Sequence, residues 1–473
     1  MTGRLFADHA LLPDGWARDV LIDWDSTGRI VHVQPGACAV HAAPGGPIGR
    51  VAGPLLPGMP NLHSHAFQRG MAGLTEYRGG SANDSFWSWR SLMYRFAARL
   101  DPESLEAIAF GLYVEMLEAG YTSVCEFHYV HHDVDGKPYA DDATLAHAVL
   151  NAARRAGIGM TLLPVLYQDG GFGGQAAQPA QGRFIRSTES MLRLLERLAT
   201  VCAASTNDDG AGPAVRLGLA PHSLRAVSPG ALRDVLAGLD ALDRTAPIHI
   251  HIAEQQKEVD DCIAWSGQRP VEWLLDHVAV DERWCLVHAT HMTTAEHRRA
   301  AATGAVAGLC PSTEANLGDG LFDLPVWQTA GGAWGVGSDS HACVDAAEEL
   351  MLLEYAQRLA TRQRNVGADA RQPHVATAMT LAAVSGGARA SGRAVGGIAV
   401  GQQADLVALD AQHRALVGLA PQDMLSSHVF ASSRGSAIDS VWVGGRRRVE
   451  QGRHTQSPEA RAGFARARAG LLR

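Results

Sequence analysis

Lysine is the scarcest charged residue in this 473-residue chain, which contains only Lys137 and Lys257. No G-K-[ST] sequence occurs, so a P-loop nucleotide site is excluded. No G-x-S-x-G occurs either, which argues against acyl-enzyme hydrolases. No apolar run approaches the roughly 18 residues of a membrane span, and the N-terminal MTGRLFADHALLPDGWARDV lacks the apolar stretch of a signal peptide. These absences favour a cytoplasmic protein that does not enter a membrane.

Cysteine pairs and an excess of positive charge are also missing. The seven cysteines are scattered and never spaced as C-x-x-C, which favours reduced thiols over disulfides or zinc fingers. A net charge of −8 gives no basic surface for nucleic acid. Hydrophobic residues make up 46% of the chain, enough for a large domain with a smaller one, or for several small domains.

Eight short apolar segments alternate with helical patterns along the middle of the chain. Near-continuous apolar strands between helices are typical of a parallel sheet. No G-x-G-x-x-G follows any of them, so the pattern favours an α/β fold of the (β/α)8 TIM-barrel type over an open doubly wound sheet. The predicted strands are 55–63, 122–128, 158–166, 214–222, 247–253, 284–290, 305–311 and 334–340.

The two ends of the chain have short strand patterns separated by glycine turns. We predict that residues 1–53 and 398–455 form one composite small β-domain, a flanking β-sandwich. Residues 54–397 would form the catalytic barrel. Residues 456–473 are Arg/Ala-rich and predict a C-terminal helix with a solvated charged face. Between the strands, Asp101 as N-cap and Pro102 in the first turn predict a helix that ends at Gly120.

Ionisable residues collect at the ends of the predicted strands. In a barrel, reactive residues lie at the carboxyl ends of the strands. Apolar sheets rarely bury so many ionisable groups without a function. The residues at these ends are His63, His65, His128, Tyr129, His222, Arg225, His249, His251, Glu254, His288, Asp339 and His341.

His63 and His65 are the clearest sign of a metal site. Alternate residues of a strand face the same side, so both imidazoles could bind one ion. A lone strand histidine such as His249 is more often a hydrogen-bonded core residue, and a lone aspartate in GSDSH is usually a turn residue. That expectation is reversed when four strand-end residues are considered together: His63, His65, His251 and Asp339. Three imidazoles and a carboxylate fit zinc, and Fe²⁺ or Mn²⁺ would also fit.

A second metal ion has no bridging ligand in this sequence. Neither Lys137 nor Lys257 ends a predicted strand, so no carbamylated lysine can join two ions. We therefore expect a single metal ion in each chain.

Several motifs together resemble a known family. PGMPNLHSH, HIHIAEQ, LVHAT and GSDSH resemble the amidohydrolase superfamily in its aminohydrolase (deaminase) branch, and GQQADLV is similar to the flanking β-domain of those enzymes. PNLHSHAFQRGMAGL, FWSWR, CEFHY, APHSLRAV and HIHIAEQQKEV are similar to the formimidoylglutamate deiminases of bacterial histidine degradation. The resemblance implies hydrolysis of N-formimino-L-glutamate to N-formyl-L-glutamate and ammonia by a cytoplasmic homodimer.

The resemblance also implies roles for individual residues. His249 would lie one layer deeper than His251, away from the metal ion. The implied metal ligands are His63, His65, His251 and Asp339; the implied catalytic residues are Asp339, His288 and Glu254; the implied substrate-binding residues are Gln68, Arg90, Tyr129, His222 and Arg225.

The chemistry of these residue types is consistent with hydrolysis. A metal ion lowers the pKa of water toward about 7. Asp339 can take the proton as general base, and Glu254 is placed to carry a proton to the departing nitrogen. His288 can stabilise the tetrahedral intermediate by a hydrogen bond or by charge.

A substrate with two carboxylates needs cationic partners. Arginine binds carboxylate through two parallel hydrogen bonds, which makes Arg90 and Arg225 the candidates. Without the resemblance, Arg90 is equally well explained as a surface residue lying over Trp87 and Trp89.

Two alternatives compete with this hypothesis. A deaminase of guanine, a triazine or another ring would need aromatic stacking and amide groups in the pocket, not two arginines. A non-catalytic scaffold with the same fold would usually lose metal ligands, and this sequence retains all four.

Overall fold

The computed structural model of the chain describes residues 3–38, 49–78, 86–205 and 215–473. Residues 39–48 of the predicted β-domain, and residue 214 at the start of the fourth predicted strand, lie outside these ranges. Among the described residues, no helix combines the length and the apolar character needed to cross a membrane.

Strands and helices alternate along the middle of the described chain, and strands predominate at its ends. The strands are β1 (Gly3–Leu12), β2 (Gly15–Trp24), β3 (Ile30–Gln34), β4 (Gly49–Pro57), β5 (Met59–Ser64), β6 (Tyr121–His128), β7 (Gly159–Leu166), β8 (Val215–Leu217), β9 (Ala220–Pro221), β10 (Ile248–Ile252), β11 (Trp284–His288), β12 (Val306–Leu309), β13 (Ala333–Val336), β14 (Leu406–Leu409), β15 (Ile438–Val443), β16 (Arg446–Glu450) and β17 (Arg453–His454). The α-helices are α1 (Phe86–Ala97), α2 (Pro102–Glu118), α3 (Thr144–Ala156), α4 (Thr188–Ser205), α5 (Pro229–Leu242), α6 (Gln256–Ser266), α7 (Pro270–His277), α8 (Thr294–Ala302), α9 (Pro311–Leu317), α10 (Leu324–Thr329), α11 (Ala346–Thr361), α12 (Val375–Ser391), α13 (Pro421–Ala431) and α14 (Ser457–Leu471).

Both ends of the chain contribute to one sheet. Its strand order is β17-β16-β15-β14-β4-β1-β2-β3, which confirms that the two ends pair. The sheet curls, so that distant parts of it meet. The N–H of Ile30 donates to the carbonyl of Gln402 at 2.7 Å, and the N–H of Ala404 donates to the carbonyl of Gly28 at 2.7 Å. The curled sheet thereby encloses its own apolar cluster, which includes Leu5, Ile22, Leu55, Leu406 and Trp442.

The eight apolar segments of the sequence all contain strands, and these strands pair in parallel. One sheet has the order β5-β6-β7-β8, with β9 also pairing with β7, and the other has the order β10-β11-β12-β13. Every residue of β6 and β7 is buried. Because both faces of a parallel sheet are buried, the sequences of its strands are apolar throughout. The predicted alternation of strands and helices is confirmed.

Two isolated parallel bridges join these parallel sheets to each other. Leu219 bridges to Ile248 at one junction, and Ser64 bridges to Asp339 at the other. At the second junction the N–H of Asp339 donates to the carbonyl of His63 at 3.0 Å, and the N–H of His65 donates to the carbonyl of Asp339 at 3.2 Å. The first predicted metal ligands in the chain, His63 and His65, therefore meet the last one, Asp339, at this junction.

The predicted strand 55–63 is wrong as a single element. It is divided at Gly58, because Leu55 to Pro57 pair with β14 in the terminal sheet while β5 pairs with β6. Gly58 donates its N–H to the carbonyl of Asp405 at 2.8 Å. A Cβ at this position would overlap the side chain of Thr122, so the crossing requires glycine.

The helix predicted after Asp101 is present as α2. Asp101 accepts a hydrogen bond from the backbone N–H of Ser104 at 2.7 Å, which caps the helix, and Pro102 is its first residue. The predicted C-terminal helix is α14, where Arg461 and Arg466 are exposed as expected. Arg468 instead donates to the carbonyl of Ala72 at 2.9 Å, so α14 is also bound to the body of the protein.

Candidate metal centre and substrate pocket

Four predicted metal ligands come together at the junction of β5 with the segment after β13. Nε2 of His63 and Nε2 of His65 each lie 3.4 Å from Oδ1 of Asp339. Nε2 of His251, on β10, lies 3.0 Å from Nε2 of His63. Their potential ligand atoms belong to two overlapping clusters that share His63, one with His65 and His251 and one with His288 and Asp339. All of these residues are buried.

Hydrogen bonds behind the imidazoles fix which nitrogen faces the cluster. Nδ1 of His65 lies 2.9 Å from the carbonyl of Phe127, and Nδ1 of His251 lies 3.1 Å from the carbonyl of His222. A carbonyl only accepts, so both Nδ1 atoms carry the proton and both Nε2 atoms present lone pairs to the centre. Lone pairs and a carboxylate that converge in a buried space require a cation, which is a donor set that fits a metal ion.

The protonation states also suit metal binding. Burial lowers the pKa of His63 to about 3, and burial together with the other histidines holds the pKa of His251 well below its usual value. Burial alone would raise the pKa of Asp339, but its hydrogen bond to His63 and its electrostatic interactions with His63, His65 and His288 outweigh burial and lower it. Neutral imidazoles and an ionised carboxylate are the forms that coordinate metals.

His288 lies next to this cluster, among carboxylates. Its Nε2 is 3.7 Å from Oε1 of Glu254 and 3.8 Å from Oδ2 of Asp339, while its Nδ1 is 3.3 Å from Oε1 of Glu314. Burial would lower the pKa of His288, but the three carboxylates raise it to about 10. Burial also raises the pKa of Glu254. The gap between Nε2 and its two carboxylate neighbours is too long for direct hydrogen bonds, which leaves room for reacting atoms.

The backbone is strained at this end of the strands. His288 and Asp339 both have left-handed φ values, 67° and 44°. Non-glycine residues in this region cost about 1–3 kcal/mol each and tend to occur at functional sites. Ala253 and Ala289, which neighbour the strand ends of β10 and β11, share the conformation.

All five predicted substrate-binding residues lie in one pocket beside the cluster. Gln68 donates through Nε2 to the hydroxyl of Tyr129 at 2.8 Å. Nδ1 of His222 is 3.0 Å from the hydroxyl of Ser223. The pocket is lined by His65, Gln68, Phe86, Trp89, Arg90, Met93, Tyr94, Tyr129, Tyr167, Phe184, His222, Arg225, His251, Glu254, His288, Leu317 and Asp339.

The two arginines of the pocket differ in their surroundings. Arg225 is buried, and neither its Nε nor its Nη1 has a hydrogen-bond partner among the described residues. Arg90, on α1, donates to the hydroxyl of Tyr167 at 3.0 Å and lies over the rings of Trp87 and Tyr94. Arg90 thus has both the aromatic contact expected of a surface arginine and a place in the pocket wall.

Other strand-end histidines point away from the cluster. Nε2 of His249 lies 2.8 Å from the carbonyl of Ala390 on α12, in agreement with its predicted deeper position. His341 lies between the hydroxyls of Ser64 and Ser338, at 3.1 and 3.0 Å. His128 is buried beside His131, outside the groups of potential metal ligands among the described residues.

Three residues in or beside the site are not predicted from the sequence. Glu314 contacts His288, Tyr167 contacts Arg90, and the buried Glu126 accepts hydrogen bonds from the Ser64 hydroxyl at 2.7 Å and from the Ala66 N–H at 2.8 Å. Glu126 and Tyr167 belong to strand-end segments, and counting every polar residue there would have found them. Glu314 is in α9, beyond the strand end, and the sequence gives no direct signal for it.

Comparison with known proteins finds relatives that match nearly the whole chain. The sequence profile described as "Amidohydrolase family" matches residues 55–448, and the profile "Formimidoylglutamate deiminase HutF, N-terminal domain" matches residues 2–45. The formimidoylglutamate deiminase of Pseudomonas aeruginosa is 51% identical over 469 residues, which cover 99% of each chain. The 8-oxoguanine deaminase of the same organism is 30% identical over 399 residues, which cover 84% of this chain and 82% of the other.

A solved structure is similar over the whole chain. The crystal structure of an amidohydrolase from Brucella melitensis is 48% identical, has a TM-score of 0.92 and covers 100% of each chain. The sequence profiles therefore extend well beyond the site, and this structure covers the whole chain.

Proposed function

This chain belongs to the amidohydrolase family, and we propose that it is a formimidoylglutamate deiminase, which hydrolyses N-formimino-L-glutamate to N-formyl-L-glutamate and ammonia. The observation that carries the choice of substrate is the buried guanidinium of Arg225, in the pocket that borders the histidine cluster. Two of its nitrogens have no hydrogen-bond partner in the part of the chain that the structure describes. The full-length similarity to the Pseudomonas aeruginosa enzyme supports the same reaction.

Arg225 has the charge and the free donors that a carboxylate needs. Burial would lower its pKa, but Glu258 and Glu254 outweigh that effect and raise it, so the guanidinium stays charged. A buried charge without hydrogen bonds is costly, and a bound carboxylate would remove that cost. Arg90 is the second cation of the pocket, and two cations match a substrate with two carboxylates. Gln68, Tyr129 and His222 would supply the neutral contacts.

The metal site fits a single zinc ion. His63, His65, His251 and Asp339 would hold it, since imidazole nitrogens and one carboxylate suit zinc; Fe²⁺ and Mn²⁺ share these preferences. When bound, the ion supplies Lewis acidity and lowers the pKa of water beside it.

Different residues around the cluster accept the proton, deliver the proton and stabilise the intermediate. Asp339 accepts the proton from the attacking water, which adds to the formimino carbon. Glu254 delivers a proton to the departing nitrogen, so that ammonia leaves and the C=N becomes C=O. His288 is within reach of both carboxylates, 3.7 Å from Glu254 and 3.8 Å from Asp339, and donates from Nε2 to the tetrahedral intermediate.

The finer architecture is part of the same proposal. We read the two parallel sheets as one (β/α)8 barrel, since single bridges join them at both junctions. We read the curled terminal sheet as a β-sandwich, because its distant strands share one apolar cluster. The domain division into 1–53 with 398–455, 54–397 and 456–473, the homodimer and the cytoplasmic location remain predictions.

The test is the release of ammonia by zinc-loaded protein from N-formimino-L-glutamate, with N-formimino-L-aspartate and guanine assayed in parallel. Fast release from the glutamate derivative alone is the expected result. Release from guanine alone would favour the ring deaminase, which the aromatic side chains of Phe86, Trp89 and Tyr94 in the pocket wall make the second candidate.

A further inference from the structure

We propose that Glu314 is a positioning residue, which holds the imidazole of His288 so that Nε2 faces the reacting atoms. The inference rests on the proposed function for its kinetic consequence but not for its geometry. Glu314 is buried in α9 and does not line the substrate pocket. It therefore acts on the reaction through His288 and not by touching the substrate.

The contact between the two side chains fixes the ring. Oε1 of Glu314 lies 3.3 Å from Nδ1 of His288 and accepts a hydrogen bond from the backbone N–H of Cys310 at 2.9 Å. The carboxylate is thus held by the residue that precedes α9 while it accepts from the imidazole. With Nδ1 donating to Glu314, Nε2 must point to the opposite side of the ring, toward Glu254 and Asp339.

His288 needs such a partner because strand geometry does not orient it. Its φ of 67° lies outside the strand region, and Ala289 continues the turn with a φ of 50°. A regular strand would fix the direction of the side chain by its pleat, whereas this turn does not. Among the described residues Nε2 also has no direct hydrogen bond, as its two carboxylate neighbours are 3.7 and 3.8 Å away. The Nδ1 contact is therefore the one that can hold the ring in place before substrate binds.

The test compares Glu314→Gln with Glu314→Leu in zinc-loaded protein. Gln keeps an oxygen that accepts from Nδ1, so kcat should stay within about 10-fold of wild type. Leu has no acceptor, so kcat should fall about 100-fold, which is the lower end of the range for acid–base catalysis. KM should change less than about 3-fold, and the bound zinc should be retained. Rescue by Gln separates orientation of the ring from the charge of the carboxylate.

Glu349, which accepts a hydrogen bond from the first turn of α9, provides a matched control. Glu349 is also buried and accepts from the backbone N–H of Ser312 at 2.8 Å, in the first turn of α9, without contacting His288. Glu349→Leu should disturb α9 but leave kcat within about 5-fold of wild type. A loss in Glu349→Leu equal to that in Glu314→Leu would overturn the proposal, because the effect would then come from the helix.

A readout without substrate distinguishes this inference from the proposed function. The Nδ1–H proton of His288, followed by NMR, should be protected from solvent exchange in wild type and in Glu314→Gln and unprotected in Glu314→Leu. Should Glu314→Leu not fold, Glu314→Asp, which withdraws the acceptor, replaces it. Protection that persists in the leucine or aspartate variant would refute the proposal even if wild type deiminates N-formimino-L-glutamate. Failure of wild type to act on that substrate, with the protection pattern intact, would refute only the proposed function.

Discussion

Replacing Arg225 with methionine should weaken substrate binding with little effect on the metal site. The guanidinium is buried in the pocket wall, yet its Nε and Nη1 have no partner among the described residues. Methionine fills a similar volume and removes both donors together with the charge. We expect KM to rise steeply and kcat to change less, since a remote carboxylate is bound equally in the ground and transition states.

The size of the effect follows from the number of free donors. A hydrogen bond to a charged group contributes about 1.5–3 kcal/mol, so the two unpaired nitrogens of Arg225 set an upper limit near 6 kcal/mol. Because a carboxylate gives up its own hydrogen bonds to water when it binds, we take the lower end, about 3 kcal/mol. At about 1.4 kcal/mol per factor of ten, kcat/KM should fall roughly 150-fold.

The assay is ammonia release from N-formimino-L-glutamate and from two analogues, each of which lacks one carboxylate. For wild type, removal of the carboxylate that Arg225 binds should cost about as much as the mutation itself. For Arg225→Met, removal of that same carboxylate should cost almost nothing further, which identifies the carboxylate.

Arg216 provides a control arginine. Arg216 on β8 pairs with Asp243 at 2.7 Å, outside the pocket lining, so Arg216→Met removes an ion pair without touching the substrate. It should leave kcat/KM nearly unchanged. Wild-type kinetics in Arg225→Met, with metal retained, would refute the carboxylate role of this residue.

Three further predictions concern the base, the packing and a buried carboxyl. Asp339→Ala should lower kcat at least 1,000-fold in the ammonia assay, and wild-type rates would refute the assigned base. Gly386→Ala should destabilise by about 3 kcal/mol in thermal melts, because a Cβ there would overlap the Trp334 carbonyl, whereas Gly470→Ala, with open space, should not. Burial raises the pKa of Glu126 to about 7 in the folded protein, against 4.5 when unfolded. Its contribution to the free energy of unfolding is therefore fully present below pH 4.5 and is lost as the pH rises through 7. Glu126→Gln should therefore gain up to about 3 kcal/mol relative to wild type between pH 4.5 and 8, measured by melts at several pH values, and a constant difference would contradict this.

The strands and the site cluster could be predicted from the sequence because both depend on local patterns. Parallel strands are apolar along their whole length, so their carboxyl ends are visible as the place where polar residues begin. His63, His65, His251 and Asp339 were predicted to meet for that reason. The structure places all four in two overlapping buried groups that share His63, and the hydrogen bonds of the junction beside Ser64 account for the position of Asp339.

What the sequence could not predict depends on contacts between distant segments. The division of the first strand at Gly58 results from Asp405 and Thr122, far along the chain. Glu314 lies in α9, which follows β12, whereas His288 ends β11, and no periodic pattern in the sequence predicts their contact. Arg90 remained ambiguous because its aromatic neighbours and its polar partner Tyr167 are both real contacts.

The most direct test of the account is a zinc titration of chelator-treated protein, followed by ammonia release from N-formimino-L-glutamate. A single metal ion held by His63, His65, His251 and Asp339 predicts no activity without metal and a linear rise that saturates at one zinc per chain. Activity that persists without metal, or that saturates only at two ions per chain, would contradict a mononuclear metal-dependent deiminase.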